Sequence, residues 1–162
     1  MCSHYNKDSI VGHSGYNRPV ELQLKTPSTG SSSRKVYLSY DLMGNALKYV
    51  KKADIQLYIY ELMGTARSSE IVSIYEVPDF DETKLTWGNA PANGEKVGDV
   101  SYSRATANTY ASLDITSYIN KKLAEGEASG RLNFVLAIER MGMIRRALIS
   151  RAKRGIRTRS PS

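Results

Sequence analysis

Apolar and polar residues alternate with a period of two in five stretches, the mark of strands that bury one face. Val20, Leu22 and Leu24 alternate with Glu21, Gln23 and Lys25. Val36, Leu38 and Tyr40 alternate with Lys35, Tyr37 and Ser39. Ile55, Leu57 and Ile59 alternate with Gln56, Tyr58 and Tyr60, and Val72 and Ile74 with Ser73 and Tyr75. Leu132, Phe134, Leu136 and Ile138 alternate with Asn133, Val135, Ala137 and Glu139. Gly, Pro, Ser and Asn turns lie between them, which predicts an all-β sandwich. The same pattern predicts one short helix. Thr116 or Ser117 can cap the segment 118–125, Gly126 can stop it, and Lys121 and Lys122 suit its dipole.

With 162 residues the chain can bury a real core as one domain. Its single cysteine, Cys2, rules out an internal disulfide framework, so packing must supply the stability. Eleven tyrosines against two phenylalanines suit half-wet sheet surfaces, since tyrosine joins an apolar ring to a polar tip. The formal charge of +7 is a local feature. Seven bases and no acid fall in 145–162, and the other sixteen bases balance the sixteen acids. Residues 1–150 are therefore expected to form the folded module and 151–162 a basic, disordered tail. No apolar run is long enough for a transmembrane helix, and the N-terminus lacks a signal-peptide core. No membrane partner is expected.

The segment Val77-Pro78-Asp79-Phe80-Asp81-Glu82-Thr83-Lys84-Leu85-Thr86-Trp87-Gly88-Asn89-Ala90-Pro91 is the most distinctive string. It follows the strand-like run 71–76 and holds the only tryptophan. It resembles the signature of the DNRLRE-type β-sandwich, also classed as carbohydrate-binding module family 96. Arg34–Leu42, the Leu113-Asp114-Ile115-Thr116 step and the Gly15-Tyr16-Asn17 opening resemble further strings of that family, in the same order. Two departures stand out. The opening strand is reduced to a short polar run around Ser9-Ile10-Val11. The closing strand begins at Ile149-Ser150-Arg151 and is abandoned over 152–162. The resemblance implies a two-sheet antiparallel sandwich of jelly-roll type in a secreted or cell-surface, multidomain protein. It also implies non-catalytic binding of a polysaccharide, with an acidic, alginate-like uronate polymer favoured.

If the aliphatic rows face the core, Tyr37, Tyr58, Tyr60 and Tyr75 point to outer faces. Were their strands neighbours in one sheet, the four rings would make a platform for pyranose C–H faces. Arg34 and Lys35 would add charge-assisted bonds to a uronate carboxylate. Two plain readings compete: tyrosine favours half-exposed strands in any case, and a loop can cover this face. Trp87 reads as a buried plug rather than a stacking ring.

Asp79, Asp81 and Glu82 offer oxygens of the kind Ca²⁺ takes, but their spacing is not an EF-hand loop and turn formation accounts for them equally. No metal or cofactor is expected. His4 and His13 are the only histidines and lie in the departing N-terminal segment, so nucleophilic catalysis has little to work with. A ligand-free structural spacer is the alternative function. Nucleic-acid binding by the basic tail is a weaker one, since the tail has no interleaved aromatic residues.

Overall fold

The computed structural model describes residues 2–6, 9–11, 22–26, 34–41, 48–63, 69–81, 84–86, 88–103, 105, 108–126, 131–138 and 145–152. Ten strands are β1 (Cys2–Asn6), β2 (Ser9–Val11), β3 (Leu22–Thr26), β4 (Arg34–Asp41), β5 (Asp54–Met63), β6 (Ser69–Glu76), β7 (Lys96–Ser103), β8 (Thr109–Asp114), β9 (Arg131–Ala137) and β10 (Arg145–Ala152). Every pairing is antiparallel.

The strand order β7-β6-β9-β4-β3-β10-β5-β8 divides between β4 and β3, which share only the pair Lys25↔Arg34. The first sheet is β7-β6-β9-β4, extended on β4 by β1 and then β2. The second is β3-β10-β5-β8. The fold is thus the expected all-β jelly-roll-type sandwich with one short helix.

The aliphatic rows meet between the sheets. Val36 and Leu38 of β4, Val72 and Ile74 of β6, and Phe134 and Leu136 of β9 pack with Leu24, Ile55, Leu57 and Ile59 from the other sheet. Burying each such side chain contributes about 1.5–3 kcal/mol. Two strands depart from simple alternation. Leu132–Ala137 of β9 are all buried, and Val72–Tyr75 of β6 likewise. A strand is buried on both faces only when something covers its outer side, and here that cover comes from residues 77–81, 84–86 and 88–93.

The helix α1 spans Thr116–Ala124. Its N-cap residue is Ile115, which makes no side-chain capping bond. The amide of Thr116 donates instead to Asp114 Oδ1 at 2.8 Å, so the capping expected of Thr116 or Ser117 falls to Asp114. The Thr116 hydroxyl also accepts from the Ala53 amide at 3.0 Å. Gly126 ends the helix as expected. Its φ of 73° is in the left-handed region that favours glycine, and its amide donates to the Leu123 carbonyl.

At the N-terminus, the Ser9–Val11 run is β2, paired with β1. At the other end, β10 lies inside the second sheet, between β3 and β5, and continues to Ala152. Residues 145–152 of the basic segment 145–162 are therefore strand.

Candidate functional site

The outer face of the first sheet is roofed. Tyr37, Tyr75, Val77, Leu85 and Val135 form a second small core, with Phe80 and Ala90 packed against it. The Tyr37 ring meets Phe80 edge-on at 5.5 Å between centroids, and its hydroxyl donates to the Pro91 carbonyl at 3.2 Å. Tyr37 is 0% exposed and Tyr75 9%.

The roof is held by its own turn residues. Asn89 Oδ1 accepts the Thr86 amide at 2.6 Å, while Asn89 Nδ2 donates to the Lys84 carbonyl at 2.9 Å. Asp79 Oδ1 accepts from Asn133 Nδ2 and from Arg131, and Asp81 pairs with Lys84. At the far end, the Gly94 amide donates to the Glu76 carbonyl at 2.8 Å. A Cβ on Gly94 would stand 2.8 Å from that same carbonyl oxygen, so the close approach needs glycine. Asp79 and Asp81 therefore bind protein groups that shape the turn. Trp87, Glu82 and Thr83 lie outside the described residues.

Among the described residues, nothing roofs the outer face of the second sheet at β5 and β8. Their register pairs Asp54 with Asp114, Gln56 with Ser112 and Tyr58 with Tyr110. Ile55, Leu57 and Ile59 are buried, so Asp54, Gln56 and Tyr58 face outward. The result is a strip graded from carboxylates through an amide and a hydroxyl to two aromatic rings. Tyr58 and Tyr110 meet edge-to-face, 5.1 Å between centroids, and Tyr110 is 44% exposed. Such a pair is already ordered and offers one ring face to a ligand.

Asp54 and Asp114 are like charges directly opposite, an arrangement that destabilises unless offset. Lys52 offsets it, 3.4 Å from Asp54 and close enough to help hold Asp114 below the ordinary aspartate value. The larger cause for Asp114 is the hydrogen bonding from Thr116.

The residues expected to form one platform are thus divided. Tyr37 and Tyr75 lie on the first sheet, on strands separated by β9, and are sealed under the roof. Tyr58 is on the second sheet, on the opposite side of the sandwich. A ring with no exposed surface cannot stack on a sugar while the roof is in place, so the four-ring platform is not formed. Lys35 shares the roofed face, and its ammonium donates to Asn93 Oδ1 at 2.9 Å. Burial pushes its pKa below the ordinary lysine value. Arg34 begins β4, its backbone opposite Lys25 and Asn6. The side chains of Arg34 and Tyr60 and of His4, and the whole of His13, lie outside the described residues. Sequence reasoning overlooked Tyr110. Its signal was available, because Ala111 and Leu113 alternate with Tyr110, Ser112 and Asp114.

Residues 7–151 match carbohydrate-binding module family 96. The chain belongs to that family. The family is one of non-catalytic carbohydrate-binding modules. A gellan lyase from a Bacillus species is 28% identical to it over 116 residues. That similarity covers 70% of this chain and 5% of the lyase, so the module spans a small part of its relative's length. The signature string that ties this chain to family 96 is the roof itself, and its visible work is architectural. The ring pair that remains open to a ligand is on the other sheet.

Proposed function

We propose that this module binds a polysaccharide without cleaving it, on the open outer face of β5 and β8, and holds a larger secreted or cell-surface protein against that polymer. The observation that carries this reading is the Tyr58–Tyr110 pair, 5.1 Å apart on a sheet face, with Tyr110 exposed, Tyr58 half-buried, and Gln56 and Ser112 beside it. Aromatic faces take pyranose C–H faces, and the amide and hydroxyls reach sugar hydroxyls. Tyr60 follows Tyr58 by two positions, about 7 Å along β5, and would extend the site. The ligand class is an acidic, uronate-bearing polymer of the alginate type, as the family resemblance implies. A relative that is a gellan lyase supports a polysaccharide-related setting. An open sheet face encloses little of a ligand, so affinity per module is modest.

Affinity electrophoresis through gels containing alginate, pectate or neutral glucan tests the reading. The full chain and a chain ending at Ala152 are both expected to be retarded by a uronate polymer, and Tyr58→Ala/Tyr110→Ala to migrate freely. Truncation is placed after Ala152 because removing 145–162 would excise β10 from the sheet. Retardation of the full chain alone would assign the effect to tail charge. A folded protein that no polymer retards would be a spacer.

A further inference from the structure

One corner of the molecule is built to present charge. Residues 48–53 lead into β5 and are pinned from both sides. Val50 donates to Asn120 Oδ1 at 2.9 Å and accepts from Asn120 Nδ2 at 3.0 Å. Ala53 donates to the Thr116 hydroxyl and accepts from the Ile115 amide at 2.8 Å. Val50 and Ala53 are 1% and 0% exposed. With those two anchors buried, Lys48, Tyr49, Lys51 and Lys52 are held at the surface. Tyr49, at 55%, is the most exposed large hydrophobic side chain among the described residues. Lys48 and Lys51 have no ion-pair partner among the described residues, and Lys52 pairs only with Asp54 there.

This corner continues the open strip. Lys52 precedes Asp54, Gln56 and Tyr58 in the same alternating row, and its contact with Asp54 puts its ammonium on that face. From Lys52 to Tyr58 is about 20 Å at the rise of an extended chain. A polymer lying along β5 would span both ends.

We propose that Lys48, Lys51 and Lys52, with Tyr49 beside them, form the charge-recognition end of the glycan site and take the carboxylates of an acidic polysaccharide. This rests on the β5–β8 face being the binding face. Three cations outnumber Asp54 and Asp114, so the corner attracts anions. Its backbone is already fixed, so the ordering cost of binding falls on the lysine side chains alone. Charge selection is therefore separated from ring stacking along one strand, and Lys35, engaged with Asn93 under the roof, is not needed for it.

The test measures retardation of the full chain by alginate, by alginate with its carboxyls reduced to alcohols, and by DNA, at low and high salt. The variants are Lys48→Gln/Lys51→Gln and Tyr58→Ala/Tyr110→Ala. All four substituted side chains are at least partly exposed, and thermal melts verify folding. The lysine variant is expected to bind alginate about tenfold more weakly, with a flatter salt dependence. It should keep wild-type behaviour toward the reduced polymer. Wild-type alginate binding by the lysine variant, with loss in the tyrosine variant, overturns this inference alone. Unchanged binding by both variants overturns the choice of face as well. Retardation by DNA equal to that by alginate, and weakened to the same degree in the lysine variant, would make the corner a general polyanion patch and overturn the assignment to a glycan.

Discussion

Substitution of Tyr37 separates a ligand-stacking ring from a structural one. Its side chain is fully buried, packed edge-on against Phe80, and its hydroxyl bonds to the Pro91 carbonyl at 3.2 Å. Tyr37→Phe keeps the ring and deletes that bond, at a cost of about 1 kcal/mol. For a domain of this size the melting temperature falls by about 3 °C. Tyr37→Ala also removes the ring and leaves a cavity beneath the roof, at about 4 kcal/mol, or roughly 10 °C or more. That is a large part of the 5–15 kcal/mol typical of a domain, so Tyr37→Phe is the informative variant. Differential scanning calorimetry gives the melting shift, and affinity electrophoresis in alginate gives binding. Tyr37→Phe is expected to melt lower and to bind as the wild type does. A variant that melts like the wild type but binds more weakly would refute the structural role and return Tyr37 to the ligand.

Asn89→Ala removes both the acceptor for Thr86 and the donor to Lys84 from an exposed turn, and is expected to cost about 1–2 kcal/mol in urea unfolding while Tyr58-dependent binding persists. Asp99 is held below its ordinary pKa of 3.8, first by the Ser73 hydroxyl and then by Lys96. Because the folded value is the lower one, this carboxylate contributes stability above about pH 4 that disappears as pH falls through the folded value. Asp99→Asn should therefore lower stability through the neutral region, approach the wild type at the most acid pH, and so flatten the acid limb of a stability–pH curve below 3.8.

Much of the architecture was legible because period-two rows have a single physical meaning on a sheet. The rows through Val36, Ile55, Val72 and Phe134 became core strands, and Gly126 ended the helix. The strand β7 did not show. It is an edge strand with polar alternate positions, a register shift opposite Ile74 and Tyr75, and a glycine, Gly98, where the Leu113 side chain packs too close for a Cβ. Each of these blurs alternation. The error at Tyr37 and Tyr75 has a different origin. Alternation states which face a side chain takes and says nothing about what lies over that face. The cover comes from residues 77–81, 84–86 and 88–93, placed by tertiary contacts such as Phe80 on Tyr37 and Asp79 on Asn133. The same limit hid the division of the tyrosines between two sheets, because strand order is not written in local pattern.

A motif's distinctiveness and its contact with ligand are therefore separate properties. The 77–91 string is the most recognisable part of the chain because a roof over a sheet has narrow requirements. It needs Asn89 to close a turn, Phe80 to meet the Tyr37 ring, and Gly94 shortly beyond the string to pass a backbone oxygen at close range. A sugar-binding face has looser requirements, namely exposed rings with donors and acceptors nearby, and several residue combinations meet them. The open strip on β5 and β8 is accordingly less conspicuous in sequence. Roofing one outer face also leaves the other as the broad open surface among the described residues.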